Sequence, residues 1–218
     1  MKFQEALNCY LLENLNQIQS GYKWDFTTNK FPISYKKKST NDYQNSLDLR
    51  EFIHQKVKFK SEFSDEFQVW YVKEWGGVKS NKTLTFDDYL ISSSEELINR
   101  GQKGVASWSK MLSVRDPSKY AIYDARVAVS LNTISLLFSE ESNLFFPQLS
   151  SRNNKIIAAQ QSIKKYIKLK NLNIINDFYN SYLYFLRKAV NDCERKFDIQ
   201  TAEMILFANA EEMAKKWS

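Results

Sequence analysis

The sequence predicts an all-α protein. Its 218 residues include only five glycines and three prolines, which are few turn-forming residues for a loop-rich β fold. Hydrophobic residues make up 43% of the chain and aromatic residues 15%, a composition typical of a globular protein with a sizeable core. In most segments the apolar residues recur at steps of three and four, the spacing of one helix face. These observations indicate about eight to ten helices and little strand.

In the N-terminal part of the chain, helical periodicity alternates with one long loop. An amphipathic helix opens the chain and ends at Gly21, and residues 22–40 then lack helical periodicity. Apolar residues at helical spacing return after this loop. Three further helices are therefore predicted, over 47–59, 64–74 and 85–98.

In the C-terminal part, the polar stretch 139–154 is long enough for a lid or for a connection between two lobes. Three patterned segments follow it and predict helices over 156–170, 175–193 and 206–217. We expect residues 1–218 to form a single helical domain with two lobes and a cleft between them. One lobe would contain 1–40 with 139–218, and the other 41–138.

The charge of the chain favours an anionic partner. Its net charge is +6 and its isoelectric point is near 9.1, values for which nucleic acid is the first partner to consider. Cys9 and Cys193 are too few for a disulfide framework, which indicates a reducing compartment. We find neither a signal peptide nor an apolar run that could span a membrane, so a cytoplasmic protein is expected. His54 is the only histidine, which argues against nucleophile–histidine pairs and histidine-ligated metal pairs.

The most informative stretch is 99–132, and its second half centres on an aspartate. Asp124 follows the apolar run Ala121-Ile122-Tyr123 and precedes a segment with helical periodicity, so it occupies the expected N-cap position. A carboxylate beside the core, with Arg126 two positions later, is a candidate catalytic group. An ordinary helix cap explains the same pattern.

The first half of this stretch resembles an anion-binding turn. Gly101 and Gly104 permit backbone conformations that other residues rarely adopt, and a predicted helix follows directly. The N-terminus of such a helix attracts phosphate, and Lys103 and Lys110 add positive charge. An ordinary turn between two helices, with glycine ending the first, explains the same pattern.

Together, the glycine turn, the helix, the apolar link and Asp124 resemble a known arrangement. The segment is similar to the helix–hairpin–helix motif and the following catalytic aspartate of base-excision DNA glycosylases, in particular those of the oxoguanine-glycosylase type. The resemblance covers roughly thirty residues, from Gly101 to Asn132. Two features differ from the family. The hairpin lacks its usual second glycine, and no lysine lies at Ala106, Ser107 or Trp108, where bifunctional members carry their nucleophile.

The resemblance implies a monofunctional DNA glycosylase, a hydrolase of N-glycosyl bonds without lyase activity. Such an enzyme flips a damaged or modified base out of double-stranded DNA and excises it by water attack assisted by Asp124. It implies a monomer without cofactor or metal. The implied DNA-binding residues are Gly101, Lys103, Gly104, Ser107, Lys110 and Arg126. Candidates for a base-pocket wall or wedge are Trp75, Trp108 and Tyr123, although each of them, taken singly, is better explained as a core residue.

Two other functions fit the same sequence. One is a non-catalytic helix–hairpin–helix module that binds DNA and uses Asp124 only as a cap. The other is an all-helical protein-interaction domain whose basic faces serve solubility. For the glycosylase, repair of oxidised or alkylated bases and antiviral defence against hypermodified viral DNA are both compatible with the residues. A bacterial protein of this kind would be associated with the nucleoid.

Overall fold

A computed structural model of the protein describes residues 1–79, 81–139, 144–172 and 174–217. These residues form twelve α-helices and two π-helical turns, and they contain no β-strand. The all-α prediction is therefore confirmed, with slightly more helices than expected. None of the helices in this part of the chain is both long and apolar enough to cross a membrane.

The helices are named in chain order. They are α1 (Phe3–Leu15), α2 (Ile18–Gly21), α3 (Asp42–Lys58), α4 (Ser64–Trp70), α5 (Thr83–Ile91), α6 (Ser94–Asn99), α7 (Val105–Arg115), α8 (Ala125–Thr133), α9 (Asn154–Lys170), α10 (Phe178–Asp192), α11 (Ile199–Ala208) and α12 (Ala210–Lys215). The π-helical turns, Tyr71–Trp75 and Ile134–Phe138, directly continue α4 and α8.

The chain forms two compact units. The terminal unit comprises Met1–Tyr22 with Tyr123–Ser218, and the central unit comprises Lys23–Ile122. These boundaries differ from the lobe boundaries that the sequence pattern places at residues 40 and 138.

The terminal unit is built around α8. Every residue of this helix except Arg126 is buried, because α9, α11 and α12 all pack against it. Steps of four, three and four in the sequence predict one apolar face for this helix, but it is enclosed on nearly all sides. Small and polar side chains permit this enclosure. For example, the buried Ser130 hydroxyl donates to the Leu206 carbonyl at 2.6 Å.

The core of the central unit is rich in aromatic residues. Phe31 contacts the rings of Phe67 and Trp70 at centroid distances of 5.0 and 4.6 Å. Phe31 belongs to the segment that the sequence predicts as a long loop, and this segment is non-helical in the structure. The loop is thus anchored to the helices by buried aromatic side chains, which accounts for its high aromatic content.

Arg115, the last residue of α7, connects this helix to α4 and α5 of the central unit through hydrogen bonds. Its Nε donates to Gln68 Oε1 of α4 at 2.7 Å. Its Nη1 donates to the Ser92 carbonyl at 2.9 Å, and its Nη2 donates to the Tyr89 carbonyl at 2.8 Å. These two carbonyls lie at the C-terminal end of α5, where helical partners are lacking. Burial lowers the pKa of the Arg115 guanidinium from its ordinary value.

We predict that Arg115→Met destabilises the protein by about 3 kcal/mol, since several charge-assisted hydrogen bonds are lost and buried acceptors are left without donors. Urea unfolding followed by circular dichroism measures this loss. Arg100→Met is the matched control, because Arg100 forms a more exposed ion pair with Asp88 and should cost clearly less. An equal loss of unfolding free energy in the two variants would show that the hydrogen bonds of Arg115 contribute no more to stability than the Arg100–Asp88 ion pair.

Candidate active site

Asp124 is the N-cap of α8, as the sequence predicts. One carboxylate oxygen, Oδ1, accepts hydrogen bonds from the backbone amides of Arg126 at 2.9 Å and Val127 at 3.0 Å. The side chain is partly exposed. Among the described residues, nothing donates a hydrogen bond to the second oxygen, Oδ2, and no cation forms an ion pair with Asp124. The carboxylate is therefore fixed through one oxygen, and the described part of the chain does not engage the other.

Arg126 does not accompany Asp124 as its position in the sequence suggests. Its Nη2 lies 3.3 Å from Glu211 Oε1, and its guanidinium lies 5.0 Å from the centroid of the Phe207 ring. Glu211 is also bonded by Lys155 Nζ at 2.8 Å and by Asn153 Nδ2 at 2.8 Å. Lys155 is the main cause of a lowered pKa at Glu211, with Asn153 second. The expected role of Arg126 in DNA binding stays a prediction.

Tyr123, immediately before Asp124, is a core residue of the terminal unit. Its hydroxyl donates to the Pro147 carbonyl at 2.6 Å, and its ring contacts Phe178 and Tyr182 at centroid distances of 4.9 and 5.5 Å. Burial raises the pKa of Tyr123 well above its ordinary value, and the nearby charge of Asp124 adds to this rise. Tyr123 thus fixes the backbone immediately before Asp124, and its role as a base-pocket wall or wedge stays a prediction.

In the central unit, the turn between α6 and α7 has the glycine conformations that the sequence predicts. Gly101 has φ of +59° and Gly104 has φ of +74°. The Gly101 amide donates to the Ile98 carbonyl at 2.9 Å and ends α6, whereas Gly104 is the N-cap residue of α7. Lys103 is exposed between them. The turn therefore presents backbone and one lysine at the N-terminus of an 11-residue helix.

Two aromatic residues, Tyr89 and Trp108, pack against the turn. A Cβ atom added to Gly104 would lie 2.3 Å from the Tyr89 hydroxyl oxygen, whereas one added to Gly101 would meet nothing within 4 Å. The fully buried Trp108 donates from Nε1 to the Lys103 carbonyl at 3.0 Å. Trp108 thus supports the hairpin from the core, and its role as a base-pocket wall or wedge stays a prediction.

Ser107 and Lys110 also lie below the surface. The Ser107 hydroxyl accepts a hydrogen bond from Asn81 Nδ2 at 3.0 Å. Lys110 is only 6% exposed and donates from Nζ to the Ala106 carbonyl at 2.7 Å. Its methylene groups fill the space beside Gly76, where an added Cβ would lie 2.5 Å from Lys110 Cδ. Of the two lysines expected to contact phosphate, Lys103 is therefore the accessible one.

Trp75 ends the π-helical turn that continues α4. It is 5% exposed, and its ring stacks on Tyr71 with a centroid distance of 4.3 Å and an interplanar angle of 10°. Its carbonyl accepts a hydrogen bond from Trp24 Nε1 at 3.1 Å. Its own Nε1 is buried without a hydrogen-bond partner among the described residues. Trp75 is therefore a core residue with one unsatisfied donor, and its role as a base-pocket wall stays a prediction.

Sequence reasoning did not identify three residues that hold predicted site residues in place, two of them in the central unit and one in the terminal unit. Tyr89 covers Gly104, Asn81 bonds Ser107, and Glu211 holds Arg126. Each contact joins residues that are distant in the sequence, so the spacing of neighbouring residues does not predict it. Helix periodicity alone could not have found them.

Comparisons of the chain with protein-family models, with curated proteins and with solved structures found no match. In the described residues, no group of three or more histidine, cysteine, aspartate or glutamate side chains is arranged to hold a metal ion. The functional argument therefore depends on the geometry of the residues themselves.

We predict that Gly101→Ala destabilises the protein by about 1 kcal/mol, the usual cost of a left-handed backbone for an L-residue. Gly104→Ala should cost more, because its new methyl group also collides with the Tyr89 hydroxyl. Thermal unfolding of the two variants measures the difference.

Tyr89→Phe removes the colliding oxygen and should therefore recover part of the Gly104→Ala loss, giving a non-additive double-mutant cycle. Strictly additive effects would show that Tyr89 does not constrain the hairpin.

Proposed function

We propose that the protein is a monofunctional DNA glycosylase, which excises a damaged or modified base by water attack assisted by Asp124. The observation that carries this proposal is the Asp124 carboxylate, with Oδ1 fixed by two backbone amides and Oδ2 unengaged by the described residues. An oriented carboxylate with one available oxygen is suited to stabilise positive charge and to accept a proton.

The chemistry follows from the bond that breaks. A base inside a duplex is inaccessible, so the nucleotide must first be rotated out of the stack. When the N-glycosidic bond breaks, its electron pair leaves with the base and positive charge develops on the sugar. Asp124 stabilises that charge and accepts a proton from the attacking water, whose oxygen forms the new bond to C1′. The departing base is protonated from solvent, leaving an abasic site.

The hairpin supports DNA as the partner. The helix α7 begins at Val105, directly after the exposed Gly104, and an anion near this end is favoured by the helix dipole. Lys103 adds an exposed positive charge to the same turn. A net charge of +6 supports association with the phosphate backbone.

The positions of the lysines favour hydrolysis without lyase activity. Ala106, Ser107 and Trp108 provide no amine where bifunctional relatives of this motif carry one. Lys110 lies one helical turn further along, buried and donating to the Ala106 carbonyl. Hydrolysis by water therefore requires fewer rearrangements than attack by a lysine.

One observation favours the non-catalytic DNA-binding module as a second candidate. The two hydrogen bonds to Oδ1 make Asp124 a complete helix cap, and a cap requires no chemistry to account for it. This candidate retains salt-dependent DNA binding but predicts no base release.

We predict that Asp124→Asn lowers base release by about 100-fold or more, because Asn can still cap the helix but cannot act as a charged base. Purified protein is incubated with DNAs that contain oxidised, alkylated or hypermodified bases. Freed bases are identified by mass spectrometry and abasic sites by alkaline cleavage.

Asp198→Asn is the matched control, because Asp198 caps α11 by accepting from the Thr201 amide at 2.7 Å. It should retain full activity, and all three proteins should bind DNA alike. Equal activity of the wild type and Asp124→Asn would contradict a catalytic aspartate. If no DNA yields a free base while salt-dependent binding persists, the non-catalytic module is the better description.

We predict that borohydride traps no covalent protein–DNA adduct during base release, since no lysine amine forms an imine with the sugar. Denaturing electrophoresis of the reaction with labelled DNA detects such adducts. An adduct that disappears in Lys110→Met but persists in Lys103→Met would instead assign a lyase step to Lys110.

A further inference from the structure

A groove of about 610 Å³ opens on the central unit. One side is formed by α4 and the π-helical turn after it, and the other by Asp87 and Leu90 of α5. Lys30 and Pro32 of the long loop complete it. None of the residues assigned above to catalysis or to the hairpin lines this groove.

The groove is acidic, whereas the chain as a whole carries a net positive charge. Four carboxylates line it, from Asp65, Glu66, Glu74 and Asp87, against two ammonium groups. Of these acids, Glu74 is 3.7 Å from the Lys30 ammonium group. The other three are exposed and form no ion pair with the described residues. A local excess of negative charge on a chain of net charge +6 repels DNA phosphate and attracts a cationic group.

The apolar part of the groove lining, called its floor, comprises Pro32, Val69, Trp70, Leu90 and Phe63, of which Phe63 is 38% exposed. Phe63 has φ of +64°, a left-handed conformation that is costly for an aromatic residue. The fold therefore holds a large apolar side chain at the groove at the expense of its own stability.

The two walls are held in place by Arg115. Its guanidinium bonds Gln68, next to Val69 on one wall, and the carbonyl of Leu90 on the other at 3.3 Å. A groove whose walls share a buried hydrogen-bonded anchor is preorganised, which lowers the entropic cost of binding.

We propose that this groove docks a short peptide segment of a partner protein, in which an apolar side chain is flanked by lysine or arginine. The apolar side chain fits the floor between Phe63 and Trp70. The flanking cations pair with Asp65, Glu66 and Asp87. The volume suits a few residues of an extended chain. This docking is independent of the proposed base excision, because it uses none of the same residues.

The test measures binding of fluorescent nonapeptides by anisotropy. In one set, a central Leu, Phe or Trp is flanked by Arg or Lys, and in the other the flanking residues are Glu. Basic peptides should bind with dissociation constants of roughly 10–100 µM, as expected for a small transient interface, and acidic peptides should not bind.

The double variant Asp65→Asn/Asp87→Asn should weaken binding of the basic peptides by about fivefold or more, since two attractive charges are lost. Glu51→Gln/Glu95→Gln removes the same charge from exposed positions outside the groove and should leave affinity unchanged. Equal weakening of peptide binding in both double variants would show that only the net charge of the protein matters, and would overturn the proposal. The absence of binding by every basic peptide would also overturn it.

Phe63→Gly separates docking from folding. Glycine relieves the left-handed strain, which offsets part of the packing lost with the partly buried ring, so the variant should stay folded at the assay temperature. Its peptide affinity should fall by about fivefold or more with the loss of the aromatic contact. Hydrogen exchange should show peptide-induced protection in 63–73 and 87–90. A variant that binds as tightly as the wild type, or protection confined to other segments, would overturn the proposal.

Discussion

Two backbone amides at the start of α8 share one oxygen of Asp124, and much of the terminal unit depends on this cap. The helix that it begins is buried along nearly its whole length, so it cannot rotate without disturbing its neighbours. Tyr123, anchored to the Pro147 carbonyl, fixes the residue just before the cap. The orientation of the carboxylate is therefore set by the core. Because the cap bonds among the described residues use only Oδ1, the proposed chemistry can use Oδ2, and a substitution can separate the two roles.

The central unit depends in a similar way on a few polar anchors in an aromatic core. Arg115 ties the end of α5 and the side of α4 to α7, and Tyr89 presses against the hairpin at Gly104. The same α4 and α5 form the acidic groove. One arrangement of helices thus supports both the turn that we propose to bind phosphate and the groove that we propose to bind a cationic peptide. Their opposite charges would keep the two kinds of partner apart.

Features encoded within one turn of chain could be predicted from the sequence. The cap at Asp124, the left-handed glycines at Gly101 and Gly104, and the non-helical loop before α3 all follow from local backbone chemistry. Features that depend on distant residues could not. Arg126 lies two positions from Asp124, yet it pairs with Glu211, which is 85 positions away. The sequence predicts that Lys110 is a surface cation, yet its side chain is buried against Gly76. The amphipathic pattern also does not show that α8 is buried on nearly all sides.

The most direct test of a catalytic Asp124 is single-turnover base release, compared between the wild type and Asp124→Asn at equal folded fraction. The expected result is release of the base by the wild-type protein, and loss of release in a variant whose melting temperature is nearly unchanged. Release that continues at the wild-type rate in folded Asp124→Asn would contradict the role assigned to Oδ2 and leave Asp124 as a helix cap.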